Sequence, residues 1–164
     1  ASDQLGCGDA ELLALDRELR DLLASVDLPV RLAPTSLVEP QEAWFRRRSL
    51  CAFSERHAAC LKAAYAERIA VMTEVGRAAT VATERSKPAA CRDAPWGPSD
   101  VLVRRTSGHT ATVIDMKARV LAVAFDSTRG SDWSPAVWFA ADGAATRFTT
   151  RDGTAFECQI RPAD

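Results

Sequence analysis

No apolar run in this 164-residue sequence approaches the roughly 20 residues that a membrane-spanning helix needs, so no such helix is expected. Neither charge is in excess: 21 basic and 22 acidic side chains leave a formal −1. The balance also holds locally, with 12 basic and 13 acidic residues through Pro88, then 9 of each. A chain without a basic stripe cannot neutralise many phosphates, so nucleic-acid binding is not expected. Histidine is scarce, with only His57 and His109, and there is no Gly-x-Ser-x-Gly elbow, Walker loop or His-Glu-x-x-His. Ser107-Gly108-His109 reads as an ordinary turn. Neither catalysis nor a cofactor is expected. The sequence opens on Ala1 with no signal peptide, as a processed chain would. Gln4-Leu5-Gly6-Cys7 lacks the upstream apolar stretch of a lipid-anchor site, so Cys7 reads as structural, although a precursor could have carried an anchor.

What the chain does have is five cysteines in an uneven arrangement. Cys7, Cys51 and Cys60 fall in a helix-patterned first half, while Cys91 and Cys158 bracket a strand-patterned second half. Two cysteines at the ends of a β-rich segment suggest a staple that closes a small sheet. Hydrophobic residues make up 47% of the sequence, enough for a core, but each half alone is near the size at which a core is marginal. Disulfides remedy that, and they persist in oxidising compartments, which points to the periplasm, the cell envelope or the exterior.

Leu12, Leu15, Leu19 and Leu22 recur at steps of three and four and predict a helix over 10–25, with Asp9 as N-cap and Glu11 favourable in the first turn. Leu28-Pro29 should end it. A second helix should start near Pro40, placed at N1, with Glu42 in its first turn and Trp44, Arg48 and Cys51 on one face. A third is expected over 55–75, with Leu61, Tyr65, Ile69 and Met72 inward, and short connections then predict an antiparallel three-helix bundle. The stretch from Gly76 to Asp100, with Lys87-Pro88 and Pro95-Trp96-Gly97-Pro98, reads as a linker into a new domain. Beyond it, β-prone runs at 101–105, 110–114, 120–125, 137–139, 145–149 and 156–160 are separated by Ser107-Gly108, Asp142-Gly143 and Asp152-Gly153, which are hairpin signals. The expected class is α+β: a helical domain at 1–78, a linker at 79–99, and a small antiparallel β-barrel within 91–164.

The first half carries Leu15-Asp16, then Gln41, Trp44, Arg48 and Cys51, then Cys60-Leu61, Tyr65 and Arg68, and in these residues it resembles the LprI-type family of lysozyme inhibitors. Such domains usually have a further cysteine upstream of the Cys7 position, and none is present. The second half is similar to the MliC type of c-type lysozyme inhibitor, a small barrel with a cysteine near each end. Cys91 and Cys158 fit those positions, and Asp152-Gly-Thr-Ala-Phe-Glu-Cys158 resembles its closing strand. The family's functional loop falls on Arg129, Gly130, Ser131, Asp132 and Trp133, where the family serine has become Arg129 and its lysine Ala141. The tandem implies an exported inhibitor that binds c-type lysozyme and blocks its peptidoglycan-cleaving site. Two alternatives are an immunity-like binder of another wall hydrolase and a non-inhibitory structural envelope module.

A lysozyme cleft works through two carboxylates. Arg129, a planar group of five donors, suits bidentate contact with a carboxylate, and Ser131 could add a hydroxyl. The bland alternative is a solvated turn arginine. Trp133, flanking the loop, is the aromatic expected to touch a partner, whereas helical spacing assigns Trp44 and Tyr65 to packing. Asp16, Arg48 and Arg68 are expected to form a structural salt bridge between helices. Cys51–Cys60 is the preferred pair across the turn between helices two and three. Cys7 meets the same end of an antiparallel bundle and could replace either partner, which leaves one cysteine free or paired between chains. Zinc held by His57 with Cys7, Cys51 and Cys60 matches no common spacing, so no metal is expected.

Overall fold

A computed structural model describes residues 8–81, 86–106, 109–126 and 133–162, and side chains at 79–81 are outside what it describes. The architecture is mixed α+β; the described residues form four α-helices and a closed seven-strand barrel. Two compact units interleave along the sequence. The helical unit takes the described residues of Ala1–Val26, Glu39–Thr73 and Gly130–Ser134; the barrel unit takes those of Asp27–Val38, Glu74–Arg129 and Pro135–Asp164. Among the described residues no helix is long and apolar enough to cross a membrane.

In the helical unit, helix α1 spans Ala10–Ser25. Asp9 caps it by accepting from the backbone N–H of Glu11 at 2.9 Å and of Leu12 at 3.2 Å, which satisfies two of the first-turn donors that a helix start leaves open. Leu12 and Leu19 supply its buried stripe. Two more helices follow, with one turn, Leu28–Arg31 (α2), assigned to the barrel unit, and Gln41–Ser49 (α3) to this one. Pro40 is the N-cap of α3 and Gln41 its first residue, so the proline sits one place earlier than the N1 position expected. A 3₁₀ turn at Leu50–Phe53 carries Cys51, and helix α4 runs over His57–Val81. It passes straight through Gly76, where the sequence suggested a linker; one helical glycine costs about 1 kcal/mol and does not by itself stop a helix. The turn α2, read from Leu28-Pro29 as a helix end, exists because proline is tolerated in the first turn of a new helix.

The barrel strands are β1 Lys87–Arg92, β2 Asp100–Arg105, β3 Thr110–Asp115, β4 Val120–Asp126, β5 Val137–Asp142, β6 Ala145–Thr150 and β7 Ala155–Ile160. They pair in sequence order and β1 closes on β7, which leaves no open edge. All pairings are antiparallel except β4 with β5, which run parallel through Phe125↔Trp138 and Asp126↔Phe139. The expected all-antiparallel barrel is therefore corrected at this seam. A parallel pair cannot be joined by a two-residue hairpin, and ten residues separate Asp126 from Val137 in the sequence. Above the short seam, the edge of β4 is covered by the segment after α2: the N–H of Ala33 donates to the Val120 carbonyl at 3.1 Å, and that of Leu37 to the Leu121 carbonyl at 2.7 Å.

Strand β1 occupies part of the stretch read as a linker, and its Cys91 lies directly opposite Cys158 of β7. The lumen is graded. Small residues such as Ala89, Ala111, Val113, Ala122 and Ala124 fill one side, and Phe139, Phe148 and Phe156 the other. Phe148 and Phe156 stack at 4.8 Å, and Trp96 meets Phe156 edge-on at 5.0 Å. Tight turns at Asp142-Gly143 and Asp152-Gly153 use glycines at φ 55° and 90°, a left-handed conformation that favours glycine.

Candidate functional site

Arg129, Gly130, Ser131 and Asp132 lie outside the described residues, as does Cys7. Trp133, which closes that loop, is described, and it is not a surface contact. Its side chain is 7% exposed. The indole N–H donates to a carboxylate oxygen of Glu67, and the Arg47 guanidinium lies 4.0 Å from the ring centroid. Trp133 is therefore held within the helical unit by these two side chains. A tryptophan outside any periodic run gives no burial signal in sequence, which is why it read as exposed.

Three residues that the sequence reading missed build this seat. Arg47 of α3 donates to Glu39 at 2.7 Å, to Glu67 of α4 at 3.1 Å and to the Ser134 carbonyl at 2.6 Å. Burial opposes its charge, yet hydrogen bonding and the fields of Glu39 and Glu67 hold its pKa above the ordinary value. Glu67 was legible in principle. Ala64, Glu67, Val71 and Val75 form one helical stripe, and Glu67 is its single acid. An acid on an apolar stripe needs a buried cation, and Arg47 is it.

The residues of the LprI-like pattern are brought together beside it. Trp44 is 2% exposed, donates to the Ala64 carbonyl at 3.3 Å and meets Tyr65 edge-on at 5.4 Å. Arg48 donates to the Tyr65 hydroxyl at 2.5 Å, and Tyr65 donates to Asp16 at 3.1 Å. Asp16 and Arg48 are thus linked through a phenol. Burial raises the Tyr65 pKa, which keeps the hydroxyl protonated as the relay between cation and carboxylate. Arg68 takes no part in that relay: its Nε donates to Gln41 at 2.9 Å and its Nη1 to the Glu39 carbonyl at 2.7 Å. Burial pushes its pKa down to about 10. Gln41 and Arg68 hold down the chain entering α3, so these side chains position backbone.

Both disulfides are formed, Cys51–Cys60 with a Cα–Cα distance of 5.6 Å and Cys91–Cys158 with 4.0 Å. The first bridges the 3₁₀ turn to α4, and the second staples β1 to β7 inside the lumen. Among the described residues no three His, Cys, Asp or Glu side chains are grouped so as to hold a metal ion. No protein-family model, curated protein or solved structure matches this chain.

Proposed function

We propose that this chain is an exported, non-enzymatic inhibitor, an LprI-like three-helix bundle joined to an MliC-like barrel, that binds c-type lysozyme in the periplasm or at the cell envelope. The observation that carries the reading is the seat of Trp133. A loop that enters another protein's cleft must be rigid where it leaves its scaffold, because ordering it on binding would consume affinity. The Glu67 and Arg47 contacts to Trp133 and Ser134 supply that rigidity at one end. Two disulfides are compatible with an oxidising compartment.

In this reading Arg129 and Ser131 direct donors at the two lysozyme carboxylates, and inhibition is stoichiometric and competitive with peptidoglycan. The test is a turbidity assay of cell-wall lysis by several c-type lysozymes. Loss of lysis at equimolar protein is expected, with Arg129→Glu relieving it. If the protein leaves every lysozyme active, the inhibitor reading fails; if it inhibits and Arg129→Glu inhibits equally, the role of Arg129 fails.

A further inference from the structure

The seam between β4 and β5 is the thinnest joint in the barrel. Only Phe125↔Trp138 and Asp126↔Phe139 pair there, whereas every other pair of neighbouring strands shares four to six registered residues. A parallel ladder is also slightly weaker per residue than an antiparallel one. The start of β4 needs another partner, and a segment far away in sequence supplies it. Leu32 bridges Val120 in parallel, and the Ala33 and Leu37 N–H groups donate to the Val120 and Leu121 carbonyls. The Ser36 hydroxyl adds a bond to the Leu121 carbonyl at 3.3 Å. Ala33 is buried in the lumen core, and Leu37 packs against that core from a partly buried position.

This strap is held near its two ends and not along its length. The Ser36 N–H turns back to the Ala33 carbonyl at 2.9 Å, and Pro34 between them has no N–H to give. Pro34 and Thr35 are exposed. Val26 and Glu39, on either side of 27–38, belong to the helical unit. There the Glu39 carbonyl is held by Arg68 at 2.7 Å and its carboxylate by Arg47. A strap released from β4 stays tethered at both ends, and a short tether keeps its effective concentration at the edge high. Few bonds favour release and the tether favours return, which is the behaviour of a latch. Release bares the Val120 and Leu121 carbonyls and leaves the two-pair seam to hold β4 against β5.

We propose that residues 32–37 are a latch on the barrel, whose release opens the β4–β5 seam while the other strand pairs stay formed. The inference does not depend on lysozyme being the target. Native-state hydrogen exchange of the full chain in rising urea, read by NMR, tests it. Ala33, Leu37 and the β4-facing amides of Val137–Phe139 should exchange through one shared opening. Its urea dependence should be shallower than that of the β2–β3 and β6–β7 ladders, because less surface is exposed. Leu37→Ala should lower the protection of strap and seam amides by one common factor, about tenfold for a leucine that is not fully buried. A single urea dependence for strap, seam and ladders would overturn the proposal, because the strap would then be an ordinary part of one cooperative barrel. Ladder signals lost together with the strap in Leu37→Ala would do the same. A seam that keeps its protection in Leu37→Ala would overturn it too, since the strap would then fray alone.

Discussion

In the helical unit Arg47, Arg48, Glu67 and Arg68 are each less than a tenth exposed and stand among Trp44, Tyr65 and Trp133, whereas the barrel lumen is filled by alanine, valine and phenylalanine. Among the described residues, the barrel unit places a deeply buried ion pair off the lumen. Arg104 alternates with inward Val103 on β2, and it donates to Glu74 of α4, which also accepts from Thr112 at 2.7 Å. The difference shows two ways of specifying a fold. Apolar packing in the lumen fixes volume and pattern, and many side-chain combinations satisfy it. The helical network fixes identities, because each buried charge has a particular partner and a wrong one leaves a charge unpaired.

The largest expected effect tests that contrast. Arg47→Met removes the guanidinium that Glu39 and Glu67 share and takes a donor from the Ser134 carbonyl. Removing one partner of a buried pair costs about 3–5 kcal/mol. Urea unfolding can separate the units, since Trp44 and Trp133 report on the helical one and Trp96 and Trp138 on the barrel. Adding Glu39→Gln and Glu67→Gln to Arg47→Met should restore most of the loss. A triple variant as unstable as Arg47→Met would mean that the charges are not what the site depends on.

The two disulfides give the next comparison. Cys91 and Cys158 are 67 residues apart, and Cys51 and Cys60 are 9 apart. Loop-closure entropy then gives about 4 kcal/mol for the first and about 2.5 kcal/mol for the second. Paired cysteine-to-serine variants, each followed by thermal unfolding, should rank in that order. Equal losses would show that the unfolded chain keeps the ends of β1 and β7 close without the staple.

The same contrast explains what was legible beforehand. Helix α1 was readable to its ends because its determinants are local: the Asp9 cap and a leucine stripe. The hairpins at Gly143 and Gly153 were readable for the same reason. Strand β1 was not, because Lys-Pro-Ala-Ala-Cys-Arg has weak strand propensity, and a proline within a run demotes it as a strand. The parallel seam was also invisible, since side-chain alternation is the same for either strand direction. At the site, the helical pattern placed Trp44, Arg48 and Tyr65 together, but which cation meets which acid is set by tertiary geometry. Asp16, Arg48 and Arg68 were grouped as one salt bridge and belong to two separate sets of contacts.

The smallest expected effect compares one surface carboxylate from each unit. Asp9 has its pKa lowered first by the Lys62 hydrogen bond and then by the Leu12 N–H; Asp152 has its pKa lowered first by the Thr150 hydroxyl and then by the Thr154 N–H. A carboxylate whose pKa is lower folded than unfolded stabilises the fold above the unfolded pKa, and that contribution is lost as pH falls through the folded value. Asparagine keeps the cap and the turn but cannot titrate. Asp9→Asn should therefore flatten the acid-side fall in stability seen by Trp44 and Trp133, and Asp152→Asn that seen by Trp96 and Trp138. Salt distinguishes the two. The Asp9–Lys62 pair, 3.1 Å apart and partly exposed, is screened, so the effect of Asp9→Asn should shrink between low and high salt. Asp152 is held by neutral donors, so the effect of Asp152→Asn should not change with salt. An Asp9→Asn variant that keeps the wild-type acid dependence at low salt would remove Lys62 as the source of the stabilisation.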